Sequence, residues 1–176
     1  MATIFSHAVV GYTIAKLTNQ PQKSTKLPLI AAVCAMLPDA DVITFSYGIA
    51  YESYWGHRGF SHSVLFALLI GLFYFLVVCK SQKHLLVSGV VIFAATLSHG
   101  LIDACTDGGL GVGFAIPFWG ERYFFPFTPL RVSPIGVRFF SHYGFTVLKS
   151  EFLYLVVPCL SLLSIKYVFN KMKSKL

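Results

Sequence analysis

The sequence predicts an all-α membrane protein: a polytopic bundle of four to five helices with an aromatic, Gly/Pro-rich loop on its outer side. Hydrophobic residues make up 56% of the 176 residues and charged residues only 12%, which is far from the balance of a soluble domain. Several apolar stretches approach the length of about 20 residues that a helix needs to span a bilayer. Lysines gather in alternate loops, as expected for cytoplasmic loops of membrane proteins.

Three stretches qualify as membrane-spanning helices by length and composition: Ser61 to Cys79, Leu85 to Cys105, and Phe152 to Phe169. A fourth, Leu27 to Phe45, is interrupted by Pro38 and two aspartates. The first apolar run, Ile4 to Leu17, is shorter, and it either dips into the bilayer or packs on other helices. No Lys or Arg precedes this run, so we expect a retained helix and not a cleaved signal peptide. Residues 1–176 are predicted to form one domain, because the chain shows no internal repeat or long linker.

The charged residues predict the orientation in the membrane. One side, predicted to be cytoplasmic, carries only lysines: Lys16, Lys23, Lys26, Lys80, Lys83, Lys166, Lys171, Lys173 and Lys175. The other side carries a mixed set: Glu52, Arg58, Asp107, Glu121, Arg122, Arg131, Arg138, Lys149 and Glu151. With five segments the N-terminus is then outside and the C-terminus cytoplasmic. The net charge of +7 is spread between the apolar spans and forms no basic stripe, so no nucleic-acid partner is expected.

The stretch from Gly108 to Ser141 is rich in Gly, Pro and aromatic residues and has no helical or strand period. Its four prolines prevent a long helix. Its aromatic side chains suit the membrane–water interface, where Trp and Tyr are enriched. We expect a cap that lies on the outer membrane surface.

Six ionisable residues stand out in or at the ends of apolar segments, where a charge is costly unless it has a partner or a function. They are His7, Asp39, Asp41, His62, His99 and Asp103. In the orientation deduced from Lys and Arg alone, all six fall at the outer ends of their segments. The orientation rests on Lys and Arg, whereas the six residues are His and Asp, so the two observations are independent. Together they place these side chains in one layer of the bundle.

Local patterns refine this layer. His99 and Asp103 are four residues apart, which places both on one face of a helix. Pro38 is expected to break the second segment, and in an extended backbone Asp39 and Asp41 would share one side. Ser61 is a candidate cap for the third helix.

The residue types indicate a divalent metal. Imidazole nitrogen together with carboxylate oxygen suits zinc first, with manganese possible, and more than four candidate ligands allow one or two ions. Asp39 or Asp41 would orient or deprotonate a metal-activated water. Three arginines could hold an anionic substrate through paired hydrogen bonds, and further polar residues could support the ligands or the substrate. The arginines are Arg58, Arg122 and Arg131; the supporting residues are His57, Asp107 and Glu121.

The chain resembles the YdjM-type family of bacterial inner-membrane proteins, which are described as metal-dependent hydrolases. The resemblance covers most of the chain and lies in four motifs: SHAVVGY (Ser6 to Tyr12), LPDAD (Leu37 to Asp41), HRGFSHS (His57 to Ser63) and HGLIDACTDGG (His99 to Gly109). It implies hydrolysis, with a metal held by His7, Asp39 or Asp41, His62, His99 and Asp103.

The order His, Asp, His, HxxxD is also similar to the first part of the pattern in zinc-dependent phospholipase C and the related single-strand nucleases. Those enzymes carry a later His with an acidic residue four positions on. Here His142 is followed at that spacing by Thr146, which argues against a three-metal site of their type.

The predicted function is hydrolysis of a phosphoester or another lipid-linked ester at the inner membrane, by a metal-activated water. The sequence has no GxSxG, Walker or dinucleotide motif, which disfavours covalent serine chemistry and nucleotide use. A metal transporter or sensor and a non-catalytic structural membrane protein are the alternatives. A transport path needs polar residues towards the inner side, yet FYFLVVC and LLVSGVVIFAA carry no His, Asp, Glu, Lys or Arg, which favours a site.

Overall fold

The computed structural model describes residues 1–18, 26–78 and 85–174, and within these residues every regular element is helical. The described chain forms five main helices: α1 (Ile4–Leu17), α2 (Lys26–Met36), α3 (Val64–Phe73), α4 (Leu85–Asp103) and α5 (His142–Lys173). Helix α2 continues as a 3₁₀ helix, Leu37–Tyr47, and α3 continues as a π-helical turn, Tyr74–Val78. The predicted all-α bundle is confirmed. The polar stretches Thr18–Lys26 and Ser81–His84, which the sequence predicts to be turns between helices, lie largely outside the described residues.

Two predicted boundaries change. The α-helical geometry of α2 ends at Met36, and the chain tightens into the 3₁₀ helix with Pro38 in its first turn, so the predicted break is there but the extended backbone is not. Helix α5 begins at His142 and not at Phe152. Its first turns mix polar and charged residues, which hydropathy does not mark, and the Ser141 side chain caps them by accepting a hydrogen bond from the N–H of Gly144.

Helix α4 is the centre of the bundle, because it contacts α1, α2 and α3. Small residues let the helices approach closely, as is typical of helix packing in membranes. A Cβ at Gly11 of α1 would lie 2.6 Å from the Ala31 carbonyl oxygen of α2. The core between these helices is formed mainly by alanines and by Val91 and Ile92 of α4.

Three helical segments are long and apolar enough to cross a membrane: Lys26–Tyr47, Leu86–Asp103 and His142–Lys173. Helix α1 and the α3 segment Val64–Val77 are shorter apolar helices. In the most apolar stretch of α5 only 6% of the residues are buried within the protein, and side chains such as Leu153 and Ile165 are exposed. This outward apolar surface fits a helix that has lipid as its solvent.

The stretch between α4 and α5 folds back over the end of the bundle where α3 begins and α4 ends. Short backbone pairings hold it, between Thr106 and Leu130 and between Val112 and Tyr123. The N–H of Val64, the first residue of α3, also donates to the carbonyl of Phe114. The stretch therefore covers the bundle end that carries His62 and Asp103.

Candidate metal centre

Four buried side chains converge beneath this covering stretch. They are Asp39, His62, His99 and Asp103, each no more than 6% exposed, and one possible ligand atom from each lies within 4.8 Å of the others. Asp39 comes from the first turn of the 3₁₀ helix, and His62 ends the short 3₁₀ helix Phe60–His62. His99 and Asp103 come from one face of α4, as their spacing predicts. The tight 3₁₀ turns and the straight α4 thus bring four donors to one point.

The hydrogen bonds of the two histidines fix which nitrogens face this point. Nδ1 of His99 lies 2.7 Å from the Ala35 carbonyl oxygen, which can only accept, so Nδ1 carries the hydrogen. Nδ1 of His62 lies 2.9 Å from the Ser61 hydroxyl, which donates to Asp41 and so accepts from Nδ1, and it lies 3.2 Å from a carboxylate oxygen of Asp41. The two Nε2 atoms are then lone pairs, and they face each other at 3.0 Å. Two lone pairs cannot bond to each other, so the arrangement requires a proton or a metal cation between them.

Asp39 and His7 have unused binding capacity in the same place. Neither oxygen of Asp39 accepts a hydrogen bond, although its side chain is only 5% exposed, and neither nitrogen of His7 has a partner in a fully buried ring. The His7 ring stacks on His99 with centroids 3.6 Å apart, and its Nε2 lies 3.4 Å from Asp103 without forming a hydrogen bond. Buried polar atoms without partners are rare and costly, so these atoms belong to a group of side chains that could hold a metal ion.

Both carboxylate oxygens of Asp103 accept hydrogen bonds from residues outside the cluster. Its Oδ1 accepts a hydrogen bond of 2.7 Å from the N–H of Ala2, and its Oδ2 accepts one of 3.0 Å from Nε of Arg58. Asp39 and Asp103 belong to this cluster and Asp41 adjoins it, so three buried or half-buried carboxylates lie close together. Two cationic groups lie near Asp103, the Arg58 guanidinium and the Met1 amino group. A divalent cation bound at the cluster would interact favourably with these carboxylates.

The donor set fits zinc. Structural and catalytic zinc sites use tetrahedral sets of His nitrogens and carboxylate oxygens at about 2.0–2.2 Å from the ion, so donor atoms should lie roughly 3.3 Å apart. In the cluster, Nε2 of His99 is 3.3 Å from Asp39 Oδ1, and Nε2 of His62 is 3.6 Å from Asp103 Oδ2 and 3.9 Å from Asp39 Oδ1. Each histidine also has its other nitrogen fixed by a carbonyl or a carboxylate, as metal-bound histidines do.

The structure places Asp41 apart from the four, which corrects the expectation that it shares a side with Asp39. A 3₁₀ helix turns through three residues, so residues two apart point in different directions. Asp41 lies on the outer side of His62 and accepts hydrogen bonds from Nδ1 of His57 at 2.6 Å and from Ser61 at 2.5 Å. Burial lowers the pKa of the His57 imidazole, and its bond to Asp41 only partly offsets this. Asp41 thus orients His62, and a second cluster of Asp41, His57 and His62 adjoins the first.

The arginines expected to hold substrate also make contacts within the protein. Arg58 is fully buried, and it donates to Asp103, to the Gly108 carbonyl and to the Thr106 hydroxyl. Its backbone has a φ of 62°, which is uncommon for a residue other than glycine, and the N–H of Gly113 holds it by donating to its carbonyl. Arg58 therefore uses three of its five side-chain N–H donors within the protein, and one of them positions Asp103.

The remaining predicted residues lie around the cluster and not in it. Arg122 donates to the carbonyls of Tyr51, Ser53 and His57, so it holds the loop that leads to Arg58. Arg131 pairs with Asp107 at 2.7 Å on the surface. Burial tends to raise the pKa of the Asp107 carboxyl, but the Val132 N–H and Arg131 outweigh it and hold the pKa below its usual value. Glu121 accepts from the Tyr123 hydroxyl and is exposed.

Sequence reasoning missed the role of Glu151 and misplaced the helix cap. Glu151 is 1% exposed and accepts hydrogen bonds from the N–H and hydroxyl of Thr3 and from the Ser6 hydroxyl. These bonds connect α5 to the first turn of α1. A carboxylate at a helix N-terminus is favourable, and the only signal was an acidic residue at the edge of an apolar span. The N-cap of α3 is Ser63, whose side chain accepts a hydrogen bond from the N–H of Phe66. The Ser61 hydroxyl instead donates a hydrogen bond to Asp41.

Fold and site together define a helical membrane protein with a buried His/Asp cluster at one end of its bundle. The chain matches the YdjM inner membrane protein family over residues 1–173, and it belongs to that family. It is similar to inner membrane protein YbcI of Escherichia coli (strain K12), with 34% identity over 160 residues, which cover 90% of this chain and 92% of the relative. No solved structure matches it.

Proposed function

We propose that this protein is a membrane-bound, metal-dependent hydrolase that cleaves a phosphoester or another lipid-linked ester. The observation that carries the proposal is the pair of facing Nε2 lone pairs of His62 and His99, together with the unpaired carboxylate of Asp39. Among the described residues, the two nitrogens face each other and the Asp39 oxygens accept no hydrogen bond. Zinc suits the donor set best, and manganese would also be accepted.

Each residue would have a distinct task. His62, His99 and Asp103 would hold the ion, with Asp41, the Ala35 carbonyl and Arg58 fixing them from behind. When bound, a divalent cation supplies Lewis acidity and lowers the pKa of water to near neutrality. Asp39 has two unpaired oxygens, so one could bind the ion while the other accepts the proton of the attacking water. His7 would complete the set or hold a second ion.

A structural metal site is the second candidate, because His99 and Asp103 are fully buried and closed structural sites need no open position. A measurement of catalytic turnover distinguishes the hydrolase from the structural metal site. Protein loaded with zinc or manganese would be assayed with bis(p-nitrophenyl) phosphate, p-nitrophenyl esters and phospholipid vesicles. A hydrolase gives metal-dependent turnover that Asp39→Asn abolishes and Asp107→Asn keeps. Metal bound in stoichiometric amount without turnover on any of these substrates would support the structural site.

The orientation is part of the proposal: the cluster lies towards the outer face and the C-terminus is cytoplasmic. The first turn of α1 carries His7, and its last turn carries Lys16. At that opposite end the Lys166 ammonium of α5 donates to the carbonyls of Lys16, Leu17 and Thr18, so the lysines gather away from the cluster. A C-terminal green fluorescent protein fusion should fluoresce. An active C-terminal alkaline phosphatase fusion would instead show that the C-terminus lies outside and would contradict this orientation.

A further inference from the structure

A cavity of about 280 Å³ reaches the cluster from the side. It lies between the residues that begin α1, the 3₁₀ helix that follows α2, and residues 133–139 of the covering stretch. Asp39 is among its lining residues, and both oxygens of that carboxylate lack a hydrogen-bond partner. The cavity thus leads to the one cluster residue with free binding capacity on both oxygens.

The walls of this cavity are mainly apolar, although Met1, with its amino group, and Ser133 also line it. Phe5, Val42, Ile135 and Phe139 line it, and no Lys or Arg is among the described residues around it. The hydroxyl of Thr3, which also lines it, is already bonded to Glu151. Such walls offer little to a soluble polar molecule and suit a hydrocarbon chain.

The rim of the cavity is apolar as well. Phe5, which lines it, is 65% exposed, and Val137 and Phe140, which follow the lining residues Gly136 and Phe139 in the chain, are 85% and 87% exposed. Exposed apolar groups of this size are typical of a surface that faces lipid or a membrane interface. Such an opening suits the sideways entry of a chain from the bilayer. Its volume is just below the usual range of about 300–1,000 Å³ for small-molecule pockets, so it suits part of one chain and not a whole lipid.

We propose that this cavity, the access groove, takes one hydrocarbon chain of a membrane lipid, with the polar end of that chain directed at Asp39. The chemistry at Asp39 rests on the proposed function, but binding of the chain does not. The groove makes a lipid the substrate class, and it explains how a fully buried cluster can be reached without opening the bundle.

The test uses the whole protein in nanodiscs of phosphatidylethanolamine and phosphatidylglycerol that contain a phospholipid with a diazirine in its acyl chain. After photolysis, labelled positions are mapped by peptide mass spectrometry at increasing fractions of the probe. Labelling at Phe139 should saturate, whereas labelling at Val33, which is 62% exposed on α2, should rise in proportion. Proportional labelling at Phe139 would mean contact with bulk lipid only and would overturn the proposal.

Two variants make the test specific to the groove. Val42→Trp fills it and should remove the saturable labelling at Phe139, whereas Phe118→Trp, at an exposed residue of the covering stretch outside the lining, should leave it. Unchanged labelling in a folded Val42→Trp protein would also overturn the proposal. If that variant does not fold, Ile135→Trp blocks the groove from the opposite wall. Metal content measured on the same samples tests the proposed function separately, since the groove can bind a chain in a metal-free protein.

Discussion

Replacing Asp39 by Asn should stabilise the metal-free protein while weakening its response to metal. The Asp39 carboxylate is almost fully buried and accepts no hydrogen bond, and its nearest nitrogen, Nε2 of His99, lies 3.3 Å away without forming one. In the absence of a cation it is a buried negative charge beside a second carboxylate, Asp103. Asparagine keeps the size of the side chain and removes the charge. The metal-free state then no longer bears the free-energy cost of a buried, unpaired charge, and the metal loses a ligand.

The expected magnitude follows from the missing hydrogen bonds. A buried polar group without a partner costs about 1–3 kcal/mol, and a charged one more, so Asp39→Asn should raise the free energy of unfolding of the metal-free protein by about 1–3 kcal/mol. For a chain of this size each kcal/mol raises Tm by roughly 2–4 °C. Zinc at about a thousand times its Kd should stabilise the wild type by roughly 4 kcal/mol, and most of that increment should disappear in the variant.

The assay is thermal unfolding in detergent, with chelator and with a zinc series. Asp107→Asn is the matched control, because Asp107 is partly exposed and already bonded to Arg131, so its response to zinc should equal that of the wild type. A lower Tm for Asp39→Asn in chelator would refute the reasoning. It would mean that protonated histidines already neutralise Asp39 and that the cluster needs no metal.

Three further substitutions probe the support of the cluster. Asp41→Asn should lower zinc affinity by about 10–100-fold in a chelator competition, because Asp41 holds the ring of His62 in place. Arg58→Met should cost about 3–5 kcal/mol of unfolding free energy in chelator, since it leaves the Asp103 carboxylate buried without its guanidinium. Glu151→Ala should cost about 2–4 kcal/mol by thermal or denaturant unfolding, because the first turn of α1 loses charge-assisted hydrogen bonds.

Each of these variants has a matched control with the same chemistry on the surface. Asp107→Asn controls Asp41→Asn, Arg138→Met controls Arg58→Met, and Glu121→Ala controls Glu151→Ala. The controls should change zinc affinity and stability little, since exposed charged groups contribute about 0–1 kcal/mol. An Asp41→Asn protein with unchanged zinc affinity, or an Arg58→Met or Glu151→Ala protein as stable as its control, would contradict the corresponding contact.

The sequence predicts the bundle well where lipid acts as the solvent. Helix α1 begins at Ile4 and ends at Leu17, as its apolar run indicates, and α4 ends at Asp103, close to the predicted end. The spacing of His99 and Asp103 predicts their common face, because an α-helix repeats every 3.6 residues. Local periodicity and hydropathy decide these features, and both are visible in the chain.

Other features depend on contacts between residues far apart in the chain. That Asp41 supports His62 while Asp39 faces it follows from a 3₁₀ helix, which the sequence near Pro38 marks only as a break. The tasks of Arg58 and Arg122 depend on carbonyls supplied by distant loops. An arginine next to a candidate site therefore has the same sequence signature whether it binds substrate or holds a backbone turn.

Metal content tests the central claim most directly. The protein would be purified in detergent without a metal-binding tag, and zinc and manganese would be measured by elemental analysis for the wild type and for His99→Ala combined with Asp103→Ala. We predict stoichiometric metal in the wild type and its loss in the folded double variant. A folded wild type without metal, which also takes up none from excess zinc or manganese, would contradict the metal centre and favour a cluster whose residues only pair with one another.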